Sequence, residues 1–261
     1  LGHSFPTRRS SDLALGPDLV RLCSDAEGRL EAHWSQRLVD SAALPLRSWF
    51  PIYGRKSPLV ALDAFPYLQN YRALVRLEAG LLQAVGAALQ HVIFIGSGPL
   101  PLSSLLIGRD HIEPSAAPGW SVTSVDSDVA ALEAGANLVA AALSSPLLPA
   151  TKTSSLSCRH RSGTFAFLPD SALSLSPTLL AKASVVCLAA LVGLTIESKV
   201  DIAMYLISHM KPGPFLLARS ADGLRSFAYP VVPHDAIVTR ARELGTPVEL
   251  VSPSHLLIEA Y

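Results

Sequence analysis

The chain of 261 residues has few charges, few cysteines and no surplus of either charge sign. Lys and Arg together number 21, Asp and Glu also number 21, and charged residues make up only 16% of the chain. Nucleic-acid readers and polybasic membrane-surface proteins carry a basic surplus, so the composition argues against both classes of partner. The three cysteines lie far apart, which argues against a disulfide scaffold or a zinc site. The expected compartment is therefore the reducing cytoplasm.

The sequence also lacks an apolar run long enough to cross a membrane, although its mean hydropathy of +0.36 is high. The longest uncharged apolar run, residues 183–196, has 14 residues. A helix that spans a bilayer needs about 20. We therefore interpret this run as a buried strand with its following turn, and we expect no membrane partner.

Residues 1–13 do not have the character of the rest of the chain. Residues 3–13 read His-Ser-Phe-Pro-Thr-Arg-Arg-Ser-Ser-Asp-Leu and resemble the translation of a common sequencing adapter. They have no apolar segment after their arginines, so they lack the pattern of a secretory signal. We expect residues 1–13 to be a non-native tail and exclude them from the fold prediction.

Helical periodicity in the first third of the chain gives way to alternating strands and helices. Helices are predicted over 17–39 and about 59–89, with apolar residues at three- and four-residue steps. Strands are predicted at 91–95, 121–125, 164–168, 184–189 and 215–218, helices at 128–143 and 196–210, a surface loop at 144–163, and a final hairpin at 248–259. This alternation predicts βαβ units and a parallel sheet covered on both faces. The expected domains are helical over 14–90 and α/β over 91–261.

A glycine turn follows the first predicted strand. Gly96-Ser97-Gly98-Pro99 precedes a helix that is predicted to begin near Leu100. Such glycines let the backbone approach a ligand closely, and the helix N-terminus adds hydrogen-bond donors. Asp126 ends the second strand, where a carboxylate can bind ribose hydroxyls. The combination favours a nucleoside ligand over a merely structural turn. S-adenosylmethionine (SAM) suits this shortened turn better than a dinucleotide, because it has no pyrophosphate.

Ordered motifs run through both parts of the chain. They are the turn at 96–102, with the sequence Gly-Ser-Gly-Pro-Leu-Pro-Leu, and the segments 22–33, 65–78, 186–193, 209–213 and 219–232. These motifs, spread over roughly residues 19–261, resemble those of the nicotianamine synthase family. The resemblance implies an α/β fold in which a Rossmann-like SAM-binding domain follows an N-terminal helical bundle.

The resemblance also implies a reaction. Three SAM molecules condense by 3-amino-3-carboxypropyl transfer and azetidine closure to nicotianamine, and three methylthioadenosines leave. The sulfonium is already a leaving group, so the protein mainly orients the reactants and removes protons. The product chelates metals, whereas the enzyme is expected to need no metal and no cofactor beyond SAM as substrate.

Candidate catalytic residues come from the helical region. The attacking amine must be neutral, which requires a base, and the family pattern gives Glu31 this role with Tyr71 as its hydrogen-bonding or relay partner. At 100° per residue Tyr67, Tyr71 and Glu78 share one helix face, which either lines a cavity or is a hydrogen-bonded or partly exposed face. We predict Glu78 as the third catalytic residue.

Binding residues are predicted at the ends of the strands. Substrate carboxylates need cationic partners, and Arg219 and Arg225 can offer bidentate donors, with Tyr229 beside them; an ordinary surface position is the alternative for Arg225. The residues predicted to bind SAM are Gly96, Ser97, Gly98, Pro99, Leu100, Asp126, Asp170, Ala189, Ala190 and Leu191. No metal site is predicted.

Other functions remain open on the sequence alone. One is a single aminocarboxypropyl transfer from SAM to an amino acid, as in opine-metallophore synthases. The others are a SAM-dependent methyltransferase and an inactive SAM-binding module. The sequence does not distinguish a monomer from a homodimer.

Overall fold

The structure, a computed structural model, describes residues 16–43, 62–63, 65–112, 118–149, 155–221, 229, 231–246, 248–252 and 256–260. Its helices are α1 (Gly16–Ala43), α2 (Leu68–Ala84), α3 (Leu102–Leu106, continued by a π-helical turn over Ile107–Ile112), α4 (Val129–Leu143), α5 (Pro177–Leu180), α6 (Ile196–His209) and α7 (His234–Glu243). Its strands are β1 (His91–Ile95), β2 (Ser121–Asp126), β3 (Leu148–Pro149), β4 (Leu156–His160), β5 (Gly163–Pro169), β6 (Val185–Leu188), β7 (Phe215–Ala218), β8 (Val248–Ser252) and β9 (Leu256–Ala260). The expected tail at 1–13 lies outside these residues.

The strands form one mixed sheet in the order β3-β4-β5-β2-β1-β6-β7-β9-β8. The five central strands of this order, β5-β2-β1-β6-β7, run parallel to one another. Antiparallel strands extend both edges, and β8 and β9 form the predicted final hairpin. The predicted α/β class is confirmed. The domain boundary near residue 90 stays a prediction, with α1 and α2 preceding the first strand.

Helices cover both faces of the sheet, and β1, β6 and β7 are apolar and buried on both sides. In β1, Val92 and Phe94 belong to one apolar layer, whereas Ile93 and Ile95 belong to the other. Side chains of a strand alternate between its faces, so one run of apolar residues serves both layers. The layer around Val92 includes residues of α2, α3 and α4, and the layer around Ile93 includes residues of α6 and α7.

The loops that follow β1 and β6 leave the sheet side by side. From β1 the chain continues to β2 on one side, and it later returns to place β6 on the other. Strand order therefore reverses between β1 and β6, and ligands of such sheets bind at the carboxyl ends of the strands at this point. The glycine turn follows β1 at this edge.

Helix α1 buries only part of the apolar stripe that the sequence suggests. Leu22 and Leu30 are 65% and 46% exposed, whereas Ser35 and Leu38 are buried. The buried side packs against α4, where the Ser35 hydroxyl donates to the carbonyl of Ala134 at 3.4 Å. The inward face of α1 is partly polar because it borders the candidate site described below.

Two boundary predictions are wrong. Residues 144–163 are not simply a loop, because β3 and β4 lie within them and pair with each other and with β5. Only Cys158 of β4 is buried, so an edge strand with one buried side chain leaves little apolar signal. Helix α2 begins at Leu68 rather than near 59, since the chain makes turns around Pro66 before entering it. Helices α5 and α7 were not predicted.

Candidate active site

The glycine turn has a backbone conformation that demands glycine. Gly96 and Gly98 have φ angles of +78° and +61°, and L side chains rarely adopt this region. The Gly96 and Ser97 amides both donate to the carbonyl of Val125, at 2.9 and 3.1 Å. A Cβ on Gly98 would lie 2.8 Å from Oε2 of Glu31, so the missing side chain lets α1 bring Glu31 against the turn.

Asp126 secures the turn and keeps capacity for a ligand. Its Oδ2 accepts the Gly98 amide at 2.8 Å, and its Oδ1 accepts the Asp128 amide at 3.0 Å. Two carboxylate oxygens offer about four lone-pair positions, so further donors such as ribose hydroxyls can bind. Within the described residues the buried Ser97 hydroxyl has no hydrogen-bond partner. Buried polar groups are normally paired, so a ligand at the turn would satisfy it.

Glu31 and Tyr71 meet as the family pattern predicts. The Tyr71 hydroxyl donates to Oε1 of Glu31 at 3.1 Å. Burial and the nearby Glu27 carboxylate together raise the pKa of Glu31 to about 7, against the opposing effect of the Tyr71 hydrogen bond. Burial and the Glu31 charge hold the pKa of Tyr71 well above its usual range. At neutral pH Glu31 can therefore accept a proton while Tyr71 remains a donor.

Glu78 and Arg219, predicted separately, bind each other across 141 residues of sequence. Arg219 donates from Nε and Nη2 to the two carboxylate oxygens of Glu78, at 2.7 and 2.9 Å, and from Nη2 to the Ser103 hydroxyl at 2.9 Å. Its guanidinium lies over the Phe94 ring, 4.9 Å from the centroid. Burial alone would lower the pKa of Arg219, but the hydrogen bonds and charge of Glu78 outweigh it and raise that pKa. These hydrogen bonds to described residues use Nε and Nη2 of Arg219 and do not involve Nη1.

The sequence did not predict Glu27, a second carboxylate of α1 that lies in the site. The Tyr229 hydroxyl donates a hydrogen bond to Oε2 of Glu27 at 2.8 Å, which places Tyr229 beside α1. Glu27 precedes Glu31 by four residues, and such pairs share a helix face, so this spacing could have indicated it. Glu27 and Asp126 both raise the pKa of Glu31 through their charges. The site thus gathers carboxylates that suit a cationic ligand.

The remaining predicted residues border the same edge of the sheet, and their ligand roles stay predictions. Asp170 follows β5, where its amide donates to the carbonyl of Asp126 at 3.1 Å and its carboxylate accepts the Ser171 amide at 2.8 Å. Pro99 and Leu100 are buried in the turn, and Ala189, Ala190 and Leu191 follow β6. Arg225 lies outside the described residues.

The part of the chain that the structure describes contains neither a metal-binding cluster nor a membrane-spanning helix. No group of three His, Cys, Asp or Glu side chains there could hold a metal ion. None of the helices there has the length and apolarity needed to cross a membrane.

A family model and relatives of known sequence are similar to this chain. The family model described as "Nicotianamine synthase protein" matches residues 13–248. Nicotianamine synthase 9 of Hordeum vulgare is 37% identical over 233 residues, which cover 86% of this chain and 58% of that protein. Nicotianamine synthase 3 of Oryza sativa subsp. indica is 36% identical over 222 residues, which cover 84% and 54%. The chain therefore spans little more than half the length of these relatives.

A solved structure shows the same fold. The crystal structure of MtNAS in complex with MTA and tNA matches with a TM-score of 0.59 at 19% identity, over 93% of this chain and 74% of that one. At this identity the match supports the α/β architecture alone. Because the family model covers most of the sequence, the chain belongs to the nicotianamine synthase family.

Proposed function

We propose that this chain carries the active site of an enzyme that condenses three SAM molecules into nicotianamine and releases three methylthioadenosines. The observation that carries the proposal is the Glu31 carboxyl, which Tyr71 holds at 3.1 Å and which lies against Gly98 of the glycine turn. A base with a pKa of about 7 beside a nucleoside-binding turn suits removal of a proton from an attacking amine.

In the proposed transfer, the neutral amine of one substrate attacks the γ-carbon of another. The new C–N bond forms as the C–S bond breaks, methylthioadenosine leaves as a neutral thioether, and Glu31 takes the amine proton. Asp126 binds the ribose, and Arg219 binds a substrate carboxylate through Nη1 with the help of Arg225 and Tyr229. Azetidine closure repeats this displacement within one substrate molecule, whose own amine attacks its γ-carbon.

The substrate proposal draws support from the related structures. MtNAS was crystallised with MTA and tNA, and a variant of it with SAM. The sulfonium supplies its own leaving group, so no metal or further cofactor enters the proposed reaction. The proposed setting is the cytoplasm, from the cysteine pattern, and the proposed role is metal homeostasis through a chelating product. No nucleic-acid or membrane partner is part of the proposal.

Incubation of the chain with SAM alone tests the proposal. We expect methylthioadenosine and nicotianamine in a ratio of three to one by liquid chromatography and mass spectrometry. S-adenosylhomocysteine would indicate a methyltransferase instead. A requirement for an added amino acid such as histidine would indicate a single transfer. Calorimetric binding of SAM without any turnover would indicate an inactive binding module.

Tyr71→Phe should move the acid limb of the pH–rate profile to higher pH. In the wild type the hydrogen bond from Tyr71 lowers the pKa of Glu31, so its loss raises that pKa and leaves less carboxylate at a given pH. One net hydrogen bond corresponds to a shift of about one pH unit. The control is Tyr205→Phe, whose hydroxyl donates to the carbonyl of Leu175 at 2.7 Å instead. An acid limb that stays at the wild-type pH would contradict the role of Tyr71.

A further inference from the structure

Lys199 is a buried cation that the proposed chemistry does not use. It lies in the first turn of α6 and is 1% exposed. Its ammonium donates to the carbonyls of Ala190 and Val192, at 2.8 and 3.0 Å. A buried ammonium is costly unless it is hydrogen-bonded, and lysine is among the residues that are rarely buried completely. Burial lowers the pKa of Lys199 to about 8, so the ammonium still predominates at pH 7.

The start of α6 does not depend on this ammonium. The Thr195 hydroxyl accepts the Ser198 amide at 3.1 Å, and the Ser198 hydroxyl accepts the Thr195 amide at 3.1 Å. This reciprocal capping box pairs two amide donors of the helix start, and the Lys199 ammonium, which is itself a donor, could not take its place. The hydrogen bonds of Lys199 therefore serve the loop that they reach, residues 189–193 between β6 and α6.

This loop packs directly on the glycine turn. A Cβ on Gly96 would lie 2.2 Å from Cγ2 of Val192 and 3.1 Å from the Cβ of Ala189. The Ala189 amide also donates to the carbonyl of Ile95 at 3.0 Å, directly before the turn. A displacement of residues 189–192 would therefore change the space around Gly96 and the wall of the predicted SAM pocket.

We propose that Lys199 is a positioning residue of the SAM site, which holds residues 190–192 against the glycine turn without touching the substrate. The identity of the ligand rests on the proposed function, whereas the restraint on the loop rests on the contacts above. The Lys199 ammonium donates hydrogen bonds to two carbonyls of the loop, and the loop packs against the glycine turn at Gly96. The glycine turn provides the predicted contacts to the ligand.

Lys199→Met tests this proposal, because it keeps an aliphatic side chain and removes the ammonium. We expect backbone hydrogen exchange in residues 189–193 to quicken about tenfold and the Kd for SAM to rise about tenfold, since two charge-assisted hydrogen bonds are lost. The matched control, Lys211→Met, makes the same change at an exposed lysine just beyond α6. It should leave both quantities at wild-type values. Melting temperature distinguishes a local effect from general unfolding.

A folded Lys199→Met variant with wild-type loop exchange and wild-type affinity overturns the proposal. If the variant does not fold, Lys199→Gln keeps a neutral donor and receives the same measurements. Weaker SAM binding at an unchanged melting temperature then supports the proposal, and wild-type binding overturns it. A wild-type chain that binds no SAM contradicts the proposed function instead, while loop exchange still tests the restraint by Lys199.

Discussion

Glu31→Gln is expected to abolish nicotianamine formation while SAM still binds. Glutamine has nearly the same shape, and its amide oxygen can accept the hydrogen bond from Tyr71, but it cannot take a proton at neutral pH. General base catalysis contributes about 10²–10⁴-fold to a rate, so product should fall by at least about a hundredfold. Product is measured by mass spectrometry and SAM binding by calorimetry. Glu133→Gln, at an exposed position of α4, is the matched control.

The same variant should show a pH-dependent gain in stability over the wild type. The pKa of Glu31 is raised from 4.5 to about 7 in the folded protein, so folding holds a proton that the unfolded chain releases. The contribution of Glu31 to stability therefore falls as pH rises from about 4.5 to about 7, and glutamine lacks this loss. The melting temperature of Glu31→Gln should therefore exceed that of the wild type by more at pH 8 than at pH 5. Wild-type turnover in Glu31→Gln would refute the assignment of the base.

The architecture of the sheet could be predicted because its central strands are short, apolar and regularly spaced. The side chains of residues 92–95 face both apolar layers, so their apolar run indicates a strand that is buried on both sides. The glycine turn could be located for a related reason, since Gly96 and Gly98 adopt positive φ angles that few other residues tolerate. Asp126 follows from its position at a strand end. These features depend on local sequence and on the periodicity of secondary structure.

The pairings within the site depend on tertiary structure, and the sequence carries only part of that information. Glu31 and Tyr71 could be paired only through the family resemblance, because nothing in the local sequence pattern links residues on two different helices. Glu78 and Arg219 were both predicted as site residues, yet their contact spans 141 positions and is invisible to periodicity. Lys199 was missed since a lysine in a helix is normally expected in solvent.

The hydropathy pattern of α1 also gave an incomplete prediction of which side of the helix is buried. Leu38 of α1 is buried, as the apolar steps of this helix predict, but Leu22 and Leu30 are exposed. The side of α1 that faces the candidate site carries Glu27 and Glu31 instead. A helix that borders an active site gives up apolar packing to present polar groups, so hydropathy alone assigns its faces incorrectly. The helix itself was predicted correctly, whereas its orientation required the structure.

The ion pair of Glu78 and Arg219 should show a large difference between single and double substitution. Glu78 is 2% exposed, so Arg219→Met leaves a buried carboxylate without its partner. Breaking a buried pair from one side costs about 3–5 kcal/mol, which lowers the melting temperature of a chain of this size by about 10 °C. Glu78→Leu should have a similar effect, because it leaves the guanidinium unpaired.

The double variant Glu78→Leu/Arg219→Met should recover most of that stability, because neither charge remains buried alone. Its activity should stay low, since Arg219 is proposed to hold a substrate carboxylate. Melting temperature and product formation are measured for all four proteins of the cycle. Disruption of the exposed pair of Arg240 and Glu243 provides the control and should cost less than about 1 kcal/mol. A double variant as unstable as either single one would contradict the pairing argument, and one with wild-type turnover would remove Arg219 from the site.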